Sequence, residues 1–340
     1  TCQLLSCGIE QVEAALDALA EHHAVVIQRI ANVEAVYLRR LWEAETSACA
    51  RLLALLGMDA DESRFADRTV AEIEKEQGIT YAPLQRQAVE LAAKTGVILL
   101  TGGPGTGKTT TVRGIVALFQ KMGLNIVLAA PTGRAAKRMS ELTGMEAQTV
   151  HRLLGMTWNE AAHQVTFQKT EKEPLEAEAV IVDEMSMVDV SLFSALLRAL
   201  RSGTRLVLVG DADQLQSVGA GDVFRELIDC GLIPVTVLNE IFRQKKDSLI
   251  AYNAQKINNN DTGFFYGNDF TVCKCANQEE AAEHLRNLYL AQVKQYGVDR
   301  VQILSPFRST GAASVDQLNE AIRELVNPQT EEADLKVGSL

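Results

Sequence analysis

At 340 residues, with 47% hydrophobic and 23% charged side chains, the chain holds enough material for two or three soluble domains with substantial cores. It has no run of the ~18 apolar residues that a membrane span needs, and TCQLLSCGIEQVEAALDALAE lacks the basic region and cleavage site of a secretory signal. A cytoplasmic location without a membrane partner is therefore expected, and a net charge of −11 means that any nucleic acid must meet a local groove of Lys and Arg rather than a generally basic surface.

Residues 1 to about 75 read as helical, because EQVEAALDALAEHHAVVI and AVYLRRLWEAETSACARLLALLG carry apolar residues three and four apart with Glu and Arg between them. Gly57, the polar stretch MDADESRFADRT and then EKEQGITYAP interrupt that pattern. From about residue 80 short apolar runs alternate with helix-length amphipathic segments. The runs are VILLT (97–101), NIVLAAP (125–131), AVIVDE (179–184), RLVLVGD (205–211) and IPVTVL (233–238). Such alternation predicts an α/β fold, a mostly parallel sheet with helices on both faces, preceded here by a helical N-terminal domain. After DTGFFYGNDFTVCKCANQEE and an amphipathic helix near 278–296, RVQILSP (300–306) reads as a strand opening a further α/β unit. The cysteines, Cys2, Cys7, Cys49, Cys230, Cys273 and Cys275, are too scattered for a disulfide framework. The one close pair, Cys273 and Cys275, has no second pair or histidine at zinc-ligand spacing, so all six read as reduced thiols.

Ligands of parallel sheets sit beyond the carboxyl ends of the strands, and the motifs of this chain fall at those ends. Gly102-Gly103-Pro104-Gly105-Thr106-Gly107-Lys108-Thr109, followed by Thr110, fits the phosphate-binding pattern G-x-x-x-x-G-K-[ST], with a strand before it and a helix after. Its glycines let backbone N–H groups converge on phosphate oxygens, and the helix aims its positive end at them. Lys108 is expected to span the β- and γ-phosphates of ATP, and the Thr109 hydroxyl to ligate Mg²⁺. Hydrolysis also needs a second metal anchor and a group that orients water. AVIVDEMSM supplies Asp183 for the metal and Glu184 as the base, although an Asp-Glu pair after a strand also serves as an ordinary helix cap. In LVGDADQLQSV, Gln214 stands where an amide can touch the γ-phosphate; the plainer reading is an Asp-rich turn.

Taken together, Gln85 in YAPLQRQAVELA, GGPGTGKTT, APTGRAAKRMSE, TVHRLLG, VDEMSM, GDADQLQSVGAGDVF and LNEIFRQ resemble, in order and approximate spacing, the motifs of superfamily-one DNA helicases. The set is most similar to the RecD family, the helicase subunit of bacterial exonuclease V and its stand-alone relatives. The helical start running into VYLRRLWEAE resembles the stand-alone, long-N-terminus branch. The resemblance covers residues 80 to 245 and implies RecA-like motor domains, ATP-dependent 5′ to 3′ translocation on single-stranded DNA, action at duplex junctions, and a place in DNA repair or recombination. It implies domains at 1–78 (helical), 79–240 (first motor) and 241–340 (start of a second motor). By the same resemblance Gln85 recognises adenine and Arg243 enters the γ-phosphate site from the second motor domain, its alternative being a surface ion pair. Pro131, Thr132, Gly133 and Arg134, with His151, fall on DNA-contacting motifs, whereas Arg134, Lys137 and Arg138 also fit a solvated helix face. WNEAAHQVTFQKTEKEP, within about 156–174, sits where these helicases insert a strand-separating hairpin and reads equally as a surface loop.

The family's later motifs have no match before the chain stops at LKVGSL, so the chain is expected to be a piece of a longer helicase, a weak ATPase that does not unwind, the alternative being a degenerate relative. The alternative functions are a nucleotide-dependent interaction module without unwinding and, with no use for Gln85 or Arg243, a P-loop kinase of a small molecule. Protein partners are not legible.

Overall fold

The computed structural model describes residues 6–30, 32–57, 63–159, 164–239 and 248–326. The chain divides into two compact units, Thr1–Lys246 and Asp247–Leu340.

The first unit begins with helix α1 (Ile9–Glu21), which has no buried residue, and then departs from the sequence expectation. His23 takes a left-handed backbone (φ 56°) and the Ala24 N–H closes onto the Leu19 carbonyl, so the helix stops. Residues expected to continue it form strand β1 (Val25–Ile30), paired antiparallel with β2 (Val33–Leu38) across a turn at Asn32, which also has positive φ. Val25, Val26, Ile27, Val33 and Val36 are β-branched and favour the pleated conformation once the helix is broken. The Trp42 indole N–H donates to Gln28 Oε1 at 3.0 Å and ties the hairpin to α2 (Arg39–Leu56). Helices α3 (Ser63–Gln77) and α4 (Pro83–Lys94) follow; Pro83 sits at the start of α4, where its missing N–H costs nothing.

The centre is a six-stranded, wholly parallel sheet. Its strands are β3 (Val97–Gly102), β4 (Ile126–Ala130), β5 (Ala147–Thr149), β8 (Ala179–Val182), β9 (Arg205–Gly210) and β10 (Val235–Leu238), in the spatial order β10-β3-β9-β8-β4-β5. A separate antiparallel pair, β6 (Met156–Asn159) with β7 (Gln164–Phe167), precedes β8. The continuous apolar runs are explained by burial on both faces. Along β3, Val97 and Leu99 enter one core while Ile98 and Leu100 enter the other, and β9 divides Leu206 and Leu208 from Val207 and Val209 in the same way. The first core takes Leu52 and Leu55 of α2 and Leu196 and Leu197 of α8 (Val190–Ala199); the second takes Val70 and Ile73 of α3, Val89 of α4 and Ile115 and Phe119 of α5 (Lys108–Lys121). Helices α2 and α3 thus cover opposite faces of this sheet.

At Gly114, α5 lies close against Tyr81 and Val89. A Cβ there would lie 2.5 Å from the Tyr81 hydroxyl and 3.0 Å from Val89 Cγ2. Tyr81 cannot swing away freely, because its backbone N–H donates to Glu74 and its hydroxyl to Gln77. Gly114→Ala is therefore expected to destabilise the unit by about 1–3 kcal/mol through overpacking, read as a lowered Tm with the phosphate loop untouched.

The second unit contains α10 (Leu249–Asn258), α11 (Gln278–Tyr296) and α12 (Val315–Val326). Tyr289, Leu318 and Ile322 form its small core, with Val301 and Ile303 packed against them. The strand expected at 300–306 is not formed: a 3₁₀ turn spans Val298–Arg300, and residues 301–305 form no β-ladder with any described residue. An apolar run becomes a strand only when a neighbour takes its backbone hydrogen bonds.

No helix among the described residues is long and apolar enough to cross a membrane.

Candidate nucleotide and nucleic-acid site

Four adjacent strands, β3, β9, β8 and β4, run parallel and in register, Thr101 beside Gly210, Leu208 beside Val182 and Val182 beside Ala129, so that their carboxyl ends form one rim. The phosphate loop, the acidic pair, the Asp211–Gln214 segment and the Pro131–Arg134 segment leave from that rim.

At the end of β3 the chain turns through Gly105 (φ 82°) and Gly107 (φ 86°) into α5. Both conformations are left-handed, which accounts for glycine at each. Gly102 has a different reason: a Cβ there would meet the Leu238 carbonyl at 2.5 Å and Thr106 Oγ1 at 2.7 Å. The Thr106 hydroxyl donates to the Gly103 carbonyl at 2.9 Å and the Thr111 hydroxyl to the Gly107 carbonyl at 3.1 Å, which fixes the loop from both sides. Lys108 Nζ donates to the carbonyls of Gly102 and Gly103, the ammonium lying across the mouth of the loop. Thr109 and Thr110 lie half-buried in the first turn of α5.

From β8, Asp183 and Glu184 emerge half-buried. The Asp183 N–H still bonds the Ala129 carbonyl, so the residue is anchored to the sheet. Its Oδ1 accepts the Glu184 N–H at 2.8 Å. Glu184 itself is left-handed (φ 56°, ψ 42°), a conformation costly to a side chain and concentrated at functional positions. Burial holds the Asp183 carboxyl above the ordinary aspartate range, and the Glu184 charge adds to this; the bond from the Glu184 N–H and the charges of Lys108 and Arg138 oppose it. A carboxylate short of compensating positive charge is a suitable anchor for a divalent cation.

The elevated affinity for a proton carries a stability cost. Below about pH 3.9 the group is protonated whether the chain is folded or unfolded; as pH rises toward the raised folded value, the unfolded state releases its proton first and stability falls. Asp183→Asn removes the charge while keeping an acceptor for Glu184. It is expected to raise Tm at neutral pH and flatten the dependence of Tm on pH above 4, while abolishing magnesium-dependent turnover. Thermal unfolding across pH checks the first part and steady-state hydrolysis the second.

Beyond β9, Asp211 is buried and its Oδ1 accepts the Asp213 N–H at 3.1 Å, while the Ala212 N–H donates to Thr101 Oγ1 of β3 at 3.3 Å. Gln214 follows, exposed to solvent but held on one side: the Ser186 hydroxyl donates to its Oε1 at 2.9 Å. Arg225, on the helix α9 (Val223–Asp229), donates to the Ala212 carbonyl and lies 3.5 Å from Asp222 and 3.9 Å from Asp213.

At the end of β4, Pro131 leads to Thr132, whose Oγ1 caps α6 (Gly133–Thr143) by accepting the Ala135 N–H at 3.2 Å; Gly133 and Arg134 are exposed on its first turn. His151 lies in the short helix α7 (Val150–Leu153), its ring 6.5 Å from that of Phe167 in β7, so the β6–β7 pair stands beside it. That pair exposes Met156, Trp158 and Val165. Gln85 is placed differently from the rest: it is buried, and its Oε1 accepts the Ala82 N–H at 3.1 Å, closing the start of α4. Arg243 lies outside the described residues.

Sequence reading missed two participants. Arg138 was grouped with a DNA-facing or solvated surface, yet its charge reaches Asp183. Ser186 stands inside the quoted DEMSM, but serine two residues after a carboxylate carries no signal by itself.

A parallel sheet with a glycine-rich phosphate loop after one strand and an acidic pair after another defines a nucleotide-binding P-loop protein of RecA-like fold. A family model described as an AAA domain matches residues 85–220. The chain is 31% identical over 293 residues to the ATP-dependent RecD2 DNA helicase of Deinococcus radiodurans, covering 86% of this chain and 39% of that one. It is 40% identical over 219 residues to the RecBCD enzyme subunit RecD of Mycobacterium tuberculosis, covering 57% of this chain and 36% of that one. A solved structure of a Pif1 helicase from Bacteroides in complex with ADP-AlF3 and ssDNA aligns with a TM-score of 0.40 at 20% identity, over 66% of this chain and 58% of that one. By its sequence the chain is similar to the RecD and RecD2 DNA helicases. It spans less than half the length of these curated relatives.

Proposed function

We propose that this chain carries the motor of an ATP-dependent DNA helicase that moves 5′ to 3′ along single-stranded DNA and works at duplex junctions. The observation that carries the reading is the shared rim: phosphate loop, acidic pair, Gln214 and the Thr132–His151 surface all leave from neighbouring strand ends. The Deinococcus relative, an ATP-dependent DNA helicase, supports it.

In this reading the loop N–H groups and the start of α5 bind the triphosphate, and Lys108 leaves its two carbonyl partners for the β- and γ-phosphates. Thr109 and Asp183 would hold Mg²⁺, which supplies charge neutralisation at the phosphates when bound. Glu184 accepts a proton from the attacking water, and Gln214 contacts the γ-phosphate. Gln85 reads adenine, for which its free amide N–H groups remain while Oε1 stays on Ala82. Pro131, Thr132, Gly133, Arg134 and His151 contact the DNA backbone without reading its sequence, and Trp158, exposed on the β6–β7 pair, meets the bases at the junction.

The test is steady-state ATP hydrolysis with and without single-stranded DNA, on this chain and on a form extended through the later motor motifs. Weak turnover here, with strong DNA stimulation and directional movement in the longer form, is the expected result. Absence of any DNA response in both forms overturns the motor reading.

A further inference from the structure

The bond between Ser186 and Gln214 links two motifs 28 residues apart. Ser186 is itself buried and sits in the 3₁₀ turn Met185–Met187 that starts directly after Glu184; that turn is closed by Met187 N–H to the Glu184 carbonyl and Val188 N–H to the Met185 carbonyl. Gln214 by contrast is exposed, so its amide orientation is set by the contact it makes with Ser186. A glutamine amide has two faces, one accepting and one donating, and only the donating Nε2 end is complementary to a phosphate oxygen, which accepts. With the Ser186 hydroxyl donating to Oε1, the amide is held with its N–H groups turned away from the serine and available to a phosphate.

We infer that Ser186 is a positioning residue that fixes the orientation of the Gln214 amide, and through it the preference of the site for a nucleoside triphosphate over the diphosphate. The inference rests on the reading of Gln214 given above and adds what sets that residue's geometry. The placement of Ser186 gives it a second consequence. The turn that carries the proton-accepting Glu184 also carries the hydroxyl that orients Gln214, so a shift of the Gln214 loop when the γ-phosphate departs is transmitted directly to the backbone beside Glu184.

The experiment is calorimetric titration of the chain with Mg-ATPγS and with Mg-ADP, for the parent, Ser186→Ala, Ser186→Thr, Gln214→Ala and the Ser186→Ala/Gln214→Ala double variant. Ser186→Ala is expected to weaken ATPγS binding by about 5- to 10-fold, the size of one oriented hydrogen bond, with ADP binding unchanged. Ser186→Thr, which keeps the hydroxyl, restores the preference. The double variant loses no more than Gln214→Ala alone, because both act through one contact. If Gln214→Ala loses the preference and Ser186→Ala keeps it, the inference falls while the role of Gln214 stands. If Gln214→Ala keeps the preference, the role of Gln214 falls and the inference with it. Equal weakening of ATPγS and ADP by Ser186→Ala marks a merely structural serine and also overturns the proposal.

Discussion

Replacing Lys108 by alanine is expected to reduce ATP turnover by about 10³-fold or more and to weaken ATP binding at least tenfold, while leaving the fold intact. The size follows from what the ammonium does at the phosphates: it supplies preorganised positive charge to a transferring phosphoryl group in a partly dehydrated site, where one such group is worth several kcal/mol. In the structure its partners are the carbonyls of Gly102 and Gly103, so the stability lost is that of two ordinary hydrogen bonds, about 1–3 kcal/mol. A second effect adds to the first. Lys108 is one of the charges that lower the proton affinity of Asp183, and its removal raises that affinity further, to the detriment of any cation held there. Turnover and binding measured with a melting curve on the same sample check the prediction; a variant that melts like the parent but hydrolyses normally would overturn the assignment of the loop.

Lys108 was legible because its surroundings leave few alternatives. Val97–Leu100 are apolar at every position, as a strand buried on both faces requires, and glycines at 105 and 107 answer to left-handed φ values. The carboxyl ends of β8 and β9 were legible for the same reason, since Asp183 and Asp211 end apolar runs abruptly. Legibility failed where the decisive interaction is not local. Residues 25–38 lost their expected helix to one left-handed residue, His23, which no periodicity reveals. The apolar run 300–306 met its strand pattern, but residues 301–305 form no β-ladder with any described residue. Strand β5 is three residues long and exists because β4 is beside it. Ser186 and Arg138 acquire their roles only when β8, β9 and α6 are brought to one rim.

Glu184→Gln is expected to leave ATP affinity within about twofold of the parent and to lower turnover by 10²- to 10⁴-fold, the usual worth of a positioned general base. Glutamine is nearly isosteric and retains the backbone N–H that Asp183 accepts, so the left-handed turn and the Asp183 anchor persist. Losing the carboxylate also removes a negative charge that raises the proton affinity of Asp183, which makes the neighbouring metal anchor slightly stronger and tends to preserve or tighten nucleotide binding. The two effects pull in opposite directions on binding and turnover, and that divergence separates the two functions the sequence leaves open. A motor is arrested with ATP bound, so the variant holds single-stranded DNA in the ATP-bound state without turning over. An interaction module that only senses nucleotide needs no water-activating base; its parent shows no measurable hydrolysis, and the substitution changes neither its affinity for ATP nor its response to it. Single-turnover hydrolysis and ATPγS titration on the same pair of proteins therefore decide whether Glu184 is held in its strained backbone for chemistry.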